Sequence, residues 1–238
     1  MNIALIGYGK MGKEIEKVAL ERNHIISHKF SSASPFHRDS NIDTDVAIEF
    51  TAPDFAVTNI NQCLDMGIPI VSGTTGWIKE LPEIEKKIAK TNGALLYASN
   101  FSLGVHLFFE LSKKMGALMN KYSYQANITE THHTEKKDKP SGTAISTADI
   151  LIKELTHYNN WSVQDGQAIA KDTLPIASKR IENIPGTHEV RFTSEIDTIA
   201  LTHIANNRKG FALGAVIAAE WILDQRGLFT MADVLNLK

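Results

Sequence analysis

The stretch Asn2-Ile-Ala-Leu-Ile-Gly7-Tyr-Gly-Lys-Met-Gly12 decides the fold. Its first five residues are a short apolar run closed by glycine, which reads as a buried strand. From Lys10 to Arg22 the apolar residues Met11, Ile15, Val18 and Ala19 recur at helical spacing. Gly7-Tyr8-Gly9-Lys10-Met11-Gly12 thus falls between a strand and a helix, the setting in which G-x-G-x-x-G signals a dinucleotide cradle. The first glycine permits the tight turn, the second lets backbone approach a pyrophosphate, and the third allows close packing of helix on strand. The helix start adds free N–H groups and a positive dipole end. A glycine turn without a ligand is the plainer alternative, and the strand–helix placement favours the cradle.

Outward from this turn, strands and helices alternate. His24–Phe30 and Asp45–Phe50 read as strands, and Thr51-Ala-Pro-Asp54 opens a helix that ends at Gly67. Ile68–Ser72 is a strand, Ile78–Thr91 a charged helix and Ala94–Ala98 a further strand. Such alternation predicts a Rossmann-like, doubly wound parallel sheet. The pattern then changes. Ser102–Tyr122 reads as a helix, Gln125–Thr131 as a strand, and Gly142–Leu155 as a helix capped by Ser141. Period-two alternation at Val190, Phe192, Ile199 and Leu201 predicts antiparallel strands, and Gly210–Leu223 a strongly apolar helix. The expected fold class is α/β: a cofactor domain over residues 1–103 and 208–238, and an α+β mixed-sheet domain over 104–207.

Composition narrows the function classes. The 238 residues carry 25 basic and 27 acidic side chains, a formal net charge of −2, which gives no reason to expect nucleic acid as a partner. No apolar run approaches the ~20 residues that span a bilayer. The single cysteine, Cys63, forms no internal disulfide and suits a reducing compartment. Met1–Ile6 runs into glycines without a basic leader, so the expected location is cytoplasmic.

The end of the second strand, His28-Lys29-Phe30-Ser31-Ser32, lacks the acid that holds an adenosine ribose in NAD-preferring proteins. Lys29 with two serines suits a 2′-phosphate, so NADPH is expected to serve at least as well as NADH. A merely solvated Lys29 is the competing reading. Gly73-Thr74-Thr75 and Ala98-Ser99-Asn100-Phe101 follow later strands and are placed in the same crevice, toward the nicotinamide.

The densest chemistry lies in Glu130-Thr-His132-His133-Thr-Glu-Lys136-Lys-Asp-Lys-Pro-Ser141-Gly142-Thr143. Histidine is the side chain most readily used as proton donor near neutral pH. Lys136 balances a carboxylate or developing negative charge, and Ser141, Gly142 and Thr143 at a helix start suit a second carboxylate. Three plainer readings compete. The histidines bind a metal, although strand neighbours point to opposite faces and no metal-ligand spacing is present. The charge run is a solvated loop. Ser141 is a cap, a role compatible with ligand binding.

These residues together resemble the 4-hydroxy-tetrahydrodipicolinate (dihydrodipicolinate) reductase family. The resemblance runs over nearly the whole chain: Gly7–Gly12, Val46–Thr51, Val71–Gly76, Asn100–Val105, Glu130–His133 with Lys136, Asp138 and Pro140–Ala144, Gly186–Val190, His203–Ala205, Arg208 and Phe211–Gly214. It implies NADPH- or NADH-dependent reduction of a small cyclic dicarboxylate in diaminopimelate and lysine biosynthesis, by a homotetramer. It implies that His132 donates a proton with Lys136 as partner, and that His133, Lys136, Gly142 and Thr143 hold substrate. Gly73–Thr75, Ala98–Phe101 and Arg208 are placed on the cofactor, and no metal is implied.

The chain departs from the family pattern at several points. It has fewer residues between the second and third strands, a glycine turn one residue shorter, no acid after the second strand, and Glu182 where many members carry glycine after the arginine matched by Arg180. Catalysis by residues on two domains requires closure, with the chain crossing near Ser102–Val105 and Asn206–Arg208. Two other function classes compete. A dinucleotide-binding sensor predicts binding without turnover, and an aldehyde dehydrogenase needs a crevice cysteine, whereas Cys63 falls in a predicted helix.

Overall fold

The computed structural model describes residues 1–37, 42–166, 168–207 and 209–237. Two compact units divide it, one of Met1–Leu103 with Lys209–Lys238 and one of Gly104–Arg208.

In the first unit the chain runs through β1 (Asn2–Ile6), α1 (Lys10–Glu21), β2 (Ile25–Phe30), β3 (Val46–Glu49), α2 (Pro53–Asp65), β4 (Ile70–Ser72), α3 (Leu81–Thr91) and β5 (Ala94–Tyr97). The sheet order is β11-β5-β4-β3-β1-β2, and every pairing is parallel. The sixth strand, β11 (Gly227–Phe229), was not anticipated. It is three residues long and joins the edge beside β5, too short to show a period. Ile78–Glu80, expected as helix start, is a separate 3₁₀ turn before Pro82.

Helices cover both faces of this sheet. Ile3 and Leu5 pack with Ile15 and Val18 of α1 and with Ala215 and Val216 of α6 (Lys209–Ile222). Ala4 and Ile6 on the other face pack with Ile60, Cys63 and Leu64 of α2 and with Ile84 of α3. Strands buried on both sides read as continuous apolar runs, which is what β1, β3 and β4 show. Cys63 is fully buried, and its burial pushes the thiol pKa up, with the nearby Glu49 carboxylate adding to the shift.

The second unit holds α4 (Leu103–Met119), β6 (Gln125–His132), α5 (Gly142–Glu154), β7 (Asn160–Val163), β8 (Thr173–Arg180), β9 (Gly186–Thr193) and β10 (Thr198–Ala205). Its five-stranded sheet is mixed, in the order β10-β9-β6-β8-β7. β6 pairs antiparallel with β9 and parallel with β8. β7 and β8 were missed from sequence, and Pro175 inside β8 argues against a strand on local grounds. One sheet face buries Ile128, Ile176, Val190 and Phe192 against Phe108 of α4 and Leu151 of α5. None of the described helices is long and apolar enough to cross a membrane.

Candidate active site

The glycine turn has the geometry its spacing predicts. Gly7 adopts φ +99°, and a β-carbon there would lie 2.0 Å from the Phe50 carbonyl oxygen. A β-carbon on Gly12 would lie 2.7 Å from the Gly7 carbonyl oxygen, whereas one on Gly9 meets nothing within 4 Å. The first and third glycines are therefore demanded by packing within the unit, and the second faces open space. That space is a cleft of about 410 Å³ lined by Gly7, Gly9, Lys10, Met11, Phe50, Thr51, Pro53, Gly73, Thr74 and Thr75. Gly9 stands at the N-terminus of α1, and no side chain caps that helix.

The carboxylate of Glu49, at the end of β3 and fully buried, organises the far wall. It accepts hydrogen bonds from Ser72 Oγ at 2.6 Å, Thr74 Oγ1 at 2.8 Å and the Thr51 amide at 3.0 Å, and from the Thr51 hydroxyl. Thr74 Oγ1 in turn accepts from the Thr51 amide at 2.8 Å. One acid thus ties together the loops after β3 and β4. The Phe50 ring fills the space over Gly73, where a β-carbon would lie 2.2 Å from it.

Lys29 ends β2 beside Tyr8, with its Nζ 4.9 Å from the centre of the Tyr8 ring. Glu16 of α1 pairs with it, Nζ to Oε1 at 2.5 Å, and Glu16 also accepts from the Tyr8 hydroxyl. These hydrogen bonds, Lys29 first, hold the Glu16 carboxyl below its usual range and Lys29 above its own. Glu16 carried no role in the sequence reading.

The loop after β5 is less uniform than expected. Ala98 and Phe101 are buried in the core of the first unit, and the Phe101 ring packs 5.7 Å from that of Phe50. Their side chains therefore serve packing, leaving backbone and the side chains of Ser99 and Asn100 as groups able to meet a ligand. Asn100 Oδ1 accepts from the Ser102 amide at 2.8 Å. Arg208 lies outside the described residues.

In the second unit, β6 alternates so that Ala126, Ile128, Glu130 and His132 point to the buried side. His132 is 8% exposed, and its Nδ1 donates to Glu130, which is fully buried. Arg180, at the end of β8, donates from Nη1 to the other Glu130 oxygen at 2.9 Å. Burial alone would raise the Glu130 pKa, but the hydrogen bonds from His132 and Arg180 outweigh it and hold the group at about 2. His188 of β9 stacks edge-on to His132 with ring centres 5.0 Å apart. Burial, reinforced by the neighbouring His132, pushes His188 down to about 3, so this ring is neutral near pH 7.

His188 Nε2 lies 3.1 Å from Ser141 Oγ, which also accepts from the Ala144 amide at 3.2 Å as the cap of α5. Ser141 is thus held by the fold, and the same helix start presents Gly142, where a β-carbon meets nothing within 4 Å, and partly exposed Thr143. His133 is partly exposed, with its Nδ1 buried and without a hydrogen-bond partner among the described residues. Lys136 Nζ pairs with Asp138 Oδ2 at 2.8 Å.

Glu130, His132 and His188 place candidate ligand atoms within 4.8 Å of one another, a spacing compatible with a metal ion. Glu130 is already committed to Arg180 and His132, so a cation there would have to displace charged partners. The metal reading weighed from sequence paired His132 with His133; the fold pairs His132 with His188 instead. Glu130, Arg180 and His188 were quoted in the sequence without a role. For Glu130 the signal was present, since period two puts it on the same strand face as His132.

Residues 1–101 match the sequence profile described as dihydrodipicolinate reductase, N-terminus, and residues 104–235 match dihydrodipicolinate reductase, C-terminus. The 4-hydroxy-tetrahydrodipicolinate reductase of Christiangramia forsetii is 45% identical over 237 residues, 99% of this chain and 98% of that one. That of Rickettsia bellii is 36% identical over 240 residues, covering 98% and 94%. Among solved structures, dipicolinate-bound dihydrodipicolinate reductase from Paenisporosarcina sp. TG-14 has a similar fold, with TM-score 0.79, 22% identity and 98% of each chain covered.

Proposed function

The chain belongs to the dihydrodipicolinate reductase family, and from that premise we propose how its own residues carry the reaction. It is an oxidoreductase of the reduction step that acts on 4-hydroxy-tetrahydrodipicolinate in diaminopimelate and lysine biosynthesis. The first unit holds NAD(P)H, which supplies the hydride when bound. The open face of Gly9 at an uncapped helix start fits a pyrophosphate, and Gly73, Thr74 and Thr75 face the same cleft. Ser99 and Asn100 complete the nicotinamide side. Arg208 is assigned there on family resemblance alone. Lys29, with its charge already ordered by Glu16, receives a 2′-phosphate, so NADPH is used at least as well as NADH.

The second unit holds the cyclic dicarboxylate. His133, Lys136, Gly142 and Thr143 bind its carboxylates, with Ser141 fixing the helix start. Charge that develops on the substrate is quenched by a proton from His132 and balanced by the Lys136 ammonium. Lys136 must first exchange Asp138 for a substrate carboxylate. The observation that carries this reading is the buried, carboxylate-held imidazole of His132 at the end of β6. Turnover needs hydride from the first unit to reach substrate held by the second.

The working form is a cytoplasmic homotetramer. The second sheet supports assembly: opposite its helix-covered face, Ala200, Thr202 and Ile204 of the edge strand β10 continue across Arg191, Glu189 and Thr187 of β9. Ile204 is 64% exposed there. Loss of NADPH and NADH absorbance with enzymatically generated 4-hydroxy-tetrahydrodipicolinate tests the reaction, and no turnover with either cofactor overturns it.

A further inference from the structure

Glu130 is a fully buried charge held by both His132 and Arg180. An ionised carboxylate can only accept, so the His132 nitrogen facing it must carry a proton. That places the proton of the neutral ring on Nδ1 and leaves Nε2 as the atom that exchanges protons. Gly186, the first residue of β9, lies against that atom: a β-carbon there would stand 3.1 Å from Nε2 and 3.3 Å from Cδ2. Glycine at this position keeps the approach to Nε2 clear.

Arg180 extends the arrangement to the loop. Besides Glu130, its guanidinium donates from Nη2 to the Asp138 carbonyl at 2.6 Å and from Nε to the Lys136 carbonyl at 3.3 Å. The Ile181 amide, next in the chain, donates to the His132 carbonyl at 2.9 Å. One guanidinium therefore joins the carboxylate behind the imidazole to the backbone that carries Lys136.

We infer that Glu130 and Arg180 are positioning residues for proton transfer: Glu130 holds His132 with Nε2 as the delivering atom, and Arg180 sets the Lys136 loop relative to it. The inference rests on His132 being the donor, and its tests separate the two claims. Around the imidazole stand Glu130 on β6, whose other oxygen Arg180 of β8 holds, and His188 on β9.

Glu130→Gln should lower kcat roughly 10²-fold with KM changed less than about threefold, and should let the neutral His132 ring lose its preference for a proton on Nδ1. Arg180→Lys keeps a cation beside Glu130 but cannot span both carbonyls, so kcat falls while the proton stays on Nδ1. An ion pair that serves folding alone predicts lower thermal stability with kcat and the tautomer unchanged in both variants, and that result overturns the inference. Nitrogen NMR of histidine-labelled wild-type protein needs no variant: the neutral His132 ring should carry its proton on Nδ1. A proton on Nε2 defeats the proposal even if His132→Gln abolishes turnover, whereas full turnover in His132→Gln defeats the donor assignment itself.

Discussion

Lys29 Nζ stands 2.5 Å from Glu16 Oε1, so the cation at the end of β2 is held by an acid one helical turn beyond the glycine cradle. The missing strand-end acid is thus not replaced in sequence position, but an acid is present in space. Glu16 orders Lys29 and at the same time competes with any phosphate for it. Lys29→Ala should lower kcat/KM for NADPH about tenfold relative to NADH, and Glu16→Gln should raise that ratio about three- to tenfold. Steady-state kinetics with both cofactors measure the ratio, and an unchanged ratio in both variants removes Lys29 from cofactor recognition.

The proposed donor and its charge partner are directly testable. His132→Gln and Lys136→Ala should each reduce kcat by about 10²-fold or more. Asp138→Asn releases Lys136 from its ion pair and should change KM for the dicarboxylate more than kcat. Near-normal turnover in both His132→Gln and Lys136→Ala would eliminate the assignment.

Acid should unfold the second unit through two groups acting in the same direction. Glu130 has its pKa held at about 2, below its unfolded value, so its contribution is present above the ordinary carboxylate range and is lost as pH falls through that range toward 2. The size is about 3 kcal/mol. His188, held at about 3 by burial first, binds its proton more readily when unfolded, so stability falls between about pH 6.5 and 3. Urea unfolding at pH 7, 5 and 4 should show this decline. His188→Asn, although less stable at pH 7, should show a shallower slope.

The apolar helix α6 is seated by one glycine. A β-carbon on Gly214 would lie 1.7 Å from the Phe101 carbonyl oxygen and 2.8 Å from its carbon, backbone atoms that cannot turn aside. Gly214→Ala should cost at least about 2 kcal/mol of stability in denaturant melts. Gly210→Ala, whose β-carbon would meet only Ser102 Oγ at 3.8 Å, should stay within about 0.5 kcal/mol of wild type.

Much of this was legible in residues 1–101, where strands buried on both faces leave apolar runs and the glycine spacing states its own geometry. The loop from Glu130 to Thr143 was legible as a polar site for the same reason: its groups are contiguous. Glu16, Arg180 and His188 were not, because each reaches the site from a different element. Arg180 meets Glu130 across 50 residues of separation through a strand that contains Pro175. Local patterning carries no term for such a pairing, which is set by sheet order. β7 and β11 are four and three residues long, too short for alternation to declare itself.

The buried state of Cys63 has a practical consequence. It is the only thiol in the chain, sealed between α2 and the sheet and resistant to ionisation. Alkylating dyes and spin labels, which attack the thiolate, will find the native protein silent. A cysteine placed at exposed Lys137 becomes a unique attachment point with no background to subtract. The protein is thereby suited to distance measurements that follow the two units as each ligand is added.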